Sequence, residues 1–123
     1  MKGNYVDGFL LVVKKDRLAE YKKIATFAAK TWMKYGALQY VETYGDDMAP
    51  DWCKVPFPKV AKAKDDEVVV FSWIMFKSKS HRDAVNKKVM NDEQMAKTCD
   101  PKNPPFDMKR MSYGGFKVLV QNK

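Results

Sequence analysis

The chain has 123 residues, 46% of them apolar and 13% aromatic, which is one domain's length with enough apolar surface for a core and excludes a disordered tail. Its net charge of +8 invites a nucleic-acid reading, but 20 of the 23 basic residues are lysines scattered from Lys2 to Lys123. Only Arg17, Arg82 and Arg110 offer the fork that grips phosphate or guanine, so the charge reads as a lysine-rich surface with no specific nucleic acid expected.

The start, MKGNYVDGFLLVVKK, has too short an apolar run, broken at Asp7, for a signal peptide. No stretch approaches the roughly 20 apolar residues of a membrane span, so no membrane association is expected. The cysteines Cys53 and Cys99 have neither metal-knuckle nor redox-pair spacing. They are expected to be free thiols, which together with the missing leader predicts a cytoplasmic location.

YVDGFLLVV (5–13) is β-branched and aromatic and predicts a strand. Asp16 is placed as a helix N-cap. From Arg17 to Tyr35, residues Leu18, Tyr21, Ala25, Ala28, Trp32 and Tyr35 recur at helical spacing on one stripe. Lys23, Lys30 and Lys34 fall on the opposite, solvated stripe. Gly36 stands where a helix-ending glycine belongs. ALQYVETY (37–44) predicts a second strand. The segment 45–66 carries three prolines and an acidic cluster, with a short edge strand expected from Phe57 to Lys64. EVVVFSWIMF (67–76) is the strongest strand signal. Ser78 or Ser80 then caps a helix to about Asp92, with Ala84, Val85 and Val89 inward; Ser80 and Asp83 have capping-box spacing. A second long loop, 93–111, leads to a last strand, SYGGFKVLV (112–120).

The order β-α-β-β-α-β predicts an α+β domain over residues 1–123, of ferredoxin-like split βαβ type, with two helices on one face of an antiparallel sheet. One feature conflicts with a lone monomer. An antiparallel strand with one wet face alternates apolar and polar residues, yet 67–76 is apolar on both sides. Val69, Phe71, Trp73 and Met75 point one way; Val68, Val70, Ile74 and Phe76 point the other. Phe9, Leu11 and Val13 against Val6, Leu10 and Val12 repeat the pattern. The uncovered face predicts a homodimer, sheet against sheet.

The segments YVDGF (5–9), GAL-YVE (36–42), GDD (45–47), DEVVVFSWI (66–74), SHRDAVN-KVM (80–90) and FD-KRM-YGGF (106–116) resemble the YbaA-like bacterial proteins, a family of unknown function. The resemblance spans nearly the whole chain. It implies a dimeric α+β barrel, similar in fold to small antibiotic-type monooxygenases, and it implies no catalytic residue. The segment APDWCKVP (49–56) departs from the pattern, so the role of that loop is the least defined.

Site candidates follow from residue type and place. The long loops 45–66 and 93–111 open at the same sheet edge, and connections of that length are usually functional or disordered. They are expected to gather Asp46, Asp47, Arg110 and Tyr113 there, with Arg110 clamping an acidic ligand or pairing with an aspartate. Trp73 joins them as an aromatic that could line a pocket, against the plainer reading of core. His81, Asp7 and Glu42 carry less weight. His81 is a general base or metal ligand, or else a histidine packed at a strand-to-helix turn; no second histidine exists to complete a metal set. Asp7 and Glu42 are a paired-carboxylate site, or two acids bonded to neighbouring strands. Asp46, Asp47 and Asp51 lack the spacing of a calcium loop. No metal or cofactor is expected.

Two functions remain. One is a protein that binds or acts on a small molecule in a cavity between sheet and helices. The other is a non-catalytic dimer that binds a macromolecule such as RNA through its lysines.

Overall fold

A computed structural model describes residues 3–98 and 102–122. Its four strands, β1 (Tyr5–Lys14), β2 (Gln39–Tyr44), β3 (Glu67–Phe76) and β4 (Ser112–Lys117), form one antiparallel sheet in the order β2-β3-β1-β4. Helix α1 (Leu18–Lys34) links β1 to β2, and α3 (Lys79–Met90) links β3 to β4. Shorter pieces are a 3-10 turn at Lys15–Arg17, α2 (Phe57–Ala61), α4 (Glu93–Ala96) and a 3-10 turn at Met108–Arg110. No helix among the described residues is long and apolar enough to cross a membrane.

Both long helices cover one face. Tyr5, Ile74 and Phe76 pack with Val85 and Val89 of α3, with Trp32 of α1 and with Tyr35 at its end. Leu11, Val13 and Val70 pack against Tyr21 and Ala25 of α1. The strand register puts Asp7, Phe9, Tyr40, Glu42 and Ser72 on this face as well. Helix α1 ends as its sequence demands: Gly36 takes φ 115°, which a side chain resists, and the Ala37 amide turns back to the Trp32 carbonyl.

Three expectations are corrected, and of the two serines offered as the α3 cap one is chosen. Residues 57–61 are helical, not an edge strand. Pro56 is the N-cap and Pro58 stands in the first turn, where a missing amide costs nothing, whereas a strand would lose a ladder bond there. Asp16 makes no cap; it lies in the 3-10 turn before α1. Ser78, not Ser80, caps α3 by accepting from the His81 amide. That phase turns Ala84 outward and leaves His81, Arg82, Val85, Asn86 and Val89 on the inner side.

The second face of the sheet is half covered. At one end α2 lays Ala61 against Val12 and Val69, with Leu10, Met48 and Ala63 around them. Beyond that the face is open. Val6, Leu10, Phe71, Trp73 and Phe116 line a shallow hollow of about 640 Å³ there. Phe71 is 44% exposed and Phe116 59% exposed. The long strand β3 is thus apolar on both sides, but α2 and its loop shield only its first part.

Candidate functional site

Loop 45–66 runs from β2 into β3, and the segment after α4 returns past the start of β3 into β4. The two do meet, through Arg110. Its guanidinium donates to both oxygens of Glu67 at 2.7 and 2.6 Å, to Asp107 at 2.8 Å and to the Lys62 carbonyl at 2.9 Å. The Arg110 hydrogen bonds hold the Glu67 carboxyl down from 4.5 to about 2. Four of the five N–H donors of the fork are taken by the protein itself, so Arg110 works as a strap. Asp46 and Asp47 are exposed and make no ion pair or hydrogen bond among the described residues. Arg110 finds Glu67 instead because Glu67 opens β3 beside it, while Asp107 lies one turn before it.

Tyr113 belongs to a different group. On the helix face, its hydroxyl donates to Asp7 at 2.9 Å and accepts from Arg82 of α3. Arg82 also reaches Asp7 at 2.8 Å and lies over the Tyr5 ring at 5.1 Å. Asp7 is 1% exposed, so this pair is a buried tie between α3, β1 and β4. Gly115 leaves the room this needs, since any side chain there would collide with the Tyr5 hydroxyl. Trp73 stands on the opposite face, its indole donating to Gln39 at 3.1 Å. The five residues expected in one pocket therefore occupy four places.

His81 contacts the turn that carries it and the Gly36 backbone at the end of α1. Nδ1 accepts from the Lys77 amide at 2.9 Å, and the ring meets Phe76 edge-on at 5.9 Å. Burial, with Lys77 nearby, lowers its pKa. Cys53 lies half-buried in loop 45–66, and Cys99 falls outside the described residues. Among the described residues no group of three or more His, Cys, Asp or Glu is placed to hold a metal ion.

Glu42 is where polar groups converge. Its Oε1 accepts from Tyr21 of α1 and its Oε2 from Tyr40 of β2, both at 2.7 Å. Tyr40 and Glu42 share a strand face by their two-residue spacing, and Tyr21 reaches them from the inner stripe of α1. Burial, reinforced by the Glu42 charge, pushes both phenols well above their usual range, so both stay neutral donors. Asp7 and Glu42 do not pair; they lie on β1 and β2, either side of β3, each with its own partners.

The Tyr21–Glu42–Tyr40 group stands where two hollows adjoin. An inner cavity of about 190 Å³ lies between sheet and α1, lined by Phe9, Trp32, Ser72 and Ile74 and closed over by Phe106 and Met111. An outer groove of about 530 Å³ runs along α1 past Leu18, Lys22, Thr26 and Tyr44. Tyr21, Ala25, Tyr40 and Glu42 line both. Sequence reading singled out Glu42 as an acid within a strand but placed Tyr21 as core and gave Tyr40 no role. The Y-V-E spacing was the available signal for Tyr40 and Glu42; nothing local revealed that Tyr21 would cross to them.

Residues 4–108 match the family model described as "Protein of unknown function (DUF1428)". The chain is 42% identical over 116 residues to "Uncharacterized protein YbaA" of Escherichia coli (strain K12), covering 94% of this chain and 97% of that protein. The protein of the same name from Shigella flexneri matches equally. The chain belongs to the DUF1428 family of YbaA-like proteins, whose function is unknown.

Proposed function

We propose that this chain binds a small, largely apolar molecule in the cavity between sheet and α1, with Glu42 as its polar anchor. One observation carries the reading. Two neutral phenols from different elements fix a single carboxylate at the junction of an apolar cavity and an open groove. Apolar walls with a few convergent polar groups are the usual make-up of a ligand site. In such walls a carboxylate held by two donors is oriented before any ligand arrives, so little ordering is left for binding.

The working form in this proposal is a homodimer of ferredoxin-like subunits joined through their open sheet faces. The exposed Phe71 and Phe116 and the half-buried Trp73 support it, being large apolar groups on the open part of the sheet face. The ligand cavity lies on the opposite, helix-covered face, so dimerisation leaves it accessible through the groove.

Native mass spectrometry of protein purified from its own host tests the binding reading. A retained small molecule, absent from an Ala25→Phe variant that fills the junction, is the expected result. Nucleic acid copurifying in place of a small molecule would overturn it in favour of the lysine-rich macromolecule binder.

A further inference from the structure

Among the described residues Glu42 has no cationic partner. Its hydrogen bonds come from two phenols, and none of the ion pairs among the described residues includes it. Lys22 lines the outer groove but is exposed and not paired with it. The other carboxylates at elements' inner ends are answered: Asp7 by Arg82, Glu67 by Arg110. In a chain with 23 Lys and Arg to 15 Asp and Glu, a half-buried acid on a strand left without a cation stands out beside Asp7 and Glu67. An acid facing apolar walls gains most from a positive charge brought to it, because water screens it least there.

The walls favour the same kind of ligand. Tyr40 packs against Trp32 with ring centres 5.9 Å apart at 44°, and Tyr21 meets Phe106 at 5.9 Å, edge to face. Phe9 adds another ring to the inner cavity. Aromatic faces attract cations through their ring quadrupole, and the attraction grows when water is excluded. The phenol protons are both spent on Glu42, so the hydroxyls turn only acceptor lone pairs toward a ligand. A carboxylate, two acceptor oxygens and a set of ring faces offer an anion nothing and an ammonium group several partners.

Resting on the cavity reading above, we propose that the ligand is an organic cation: a protonated amine carried on an apolar body of about arylalkyl size. The ammonium group sits at Glu42 between the Tyr21 and Tyr40 hydroxyls, and the apolar body fills the inner cavity toward Phe9 and Phe106.

The test compares three probes of similar size and different charge on the full-length chain: phenethylamine, 2-phenylethanol and phenylacetate. Calorimetry gives affinity, and aromatic resonances of Tyr21, Tyr40 and Phe106 report the place. The expected ranking puts phenethylamine at least roughly tenfold ahead of 2-phenylethanol, the scale of one hydrogen bond to a charged group, with phenylacetate last. Glu42→Gln, which keeps the shape, should abolish the preference for the amine. The ranking is read on the wild-type chain, so it stands whether or not that variant folds. If 2-phenylethanol binds in the cavity as tightly as the amine, or phenylacetate binds tighter, the cation inference falls and the cavity reading survives. If none of the three perturbs the cavity resonances, both fall together.

Discussion

The Tyr40 hydroxyl donates to Glu42 at 2.7 Å from two residues away on the same face of β2. Tyr21 completes the arrangement from α1 at the same distance, tying helix to strand across the mouth of the cavity. Tyr21→Phe and Tyr40→Phe each remove one bond to a charged acceptor and should each cost about 1.5 kcal/mol in urea unfolding. Their effects should not add, because both donors serve one carboxylate. A double variant that loses only the sum of two independent effects would mean that the shared carboxylate does not couple them.

The Arg110 strap predicts an acid limb of stability. Glu67 is held at about 2 in the folded chain against an ordinary 4.5. A carboxyl whose folded pKa is depressed stabilises fully above its unfolded value and loses that contribution as pH falls toward the folded value. Stability should therefore drop between about pH 4.5 and 2, and Glu67→Gln should flatten that part of the profile. At neutral pH Arg110→Ala should cost about 2 kcal/mol, between the limits for exposed and buried pairs. Arg110→Lys should recover little of it, since an ammonium cannot engage both Glu67 oxygens as the planar fork does.

The open sheet face predicts the assembly. Light scattering at micromolar concentration should give twice the 14.2 kDa chain mass. Phe71→Glu or Trp73→Glu, each on the uncovered side of β3, should return a folded species of single-chain mass. A wild-type chain that runs as a monomer would leave the double-sided apolar pattern of β3 without a cause.

His81 predicts a second, separate pH effect. Burial lowers its pKa below 6.5, so protonation opposes the fold. The contribution is fully present above 6.5 and is lost as pH falls below that value. His81→Gln should remove this dependence, cost about 1 kcal/mol for the bond from the Lys77 amide, and leave ligand binding at Glu42 unchanged. Loss of binding with an unshifted thermal midpoint would instead place His81 in the site.

Strand β3 was legible to the residue, because nine apolar or small residues in a row between Glu67 and Lys77 admit little else. The inner stripe of α1 was legible from its period, and Gly36 from its place after it. Helix α2 was not, since a five-residue helix has too few turns for a period to emerge, and prolines argue equally for a loop. The tie between Tyr21 and Glu42 spans 21 positions, and that between Arg82 and Asp7 spans 75. No local spacing encodes such pairs; they come from which helix face lands over which strand. Arg110 was assigned to the right end of the sheet but to the wrong acids, because loop proximity in sequence order does not say which carboxylate faces inward. Glu67 does, with a side chain only 4% exposed.

The most direct measurement is a titration of the carbon-13 labelled chain with a fragment set of small apolar amines, alcohols and acids, followed by NMR. Shifts should concentrate at Tyr21, Tyr40, Met111 and Phe106 around Glu42, while the Trp73 indole on the opposite face stays fixed. Shifts confined to Trp73 and Phe71, with the Glu42 cavity silent, would contradict a ligand site between sheet and helix.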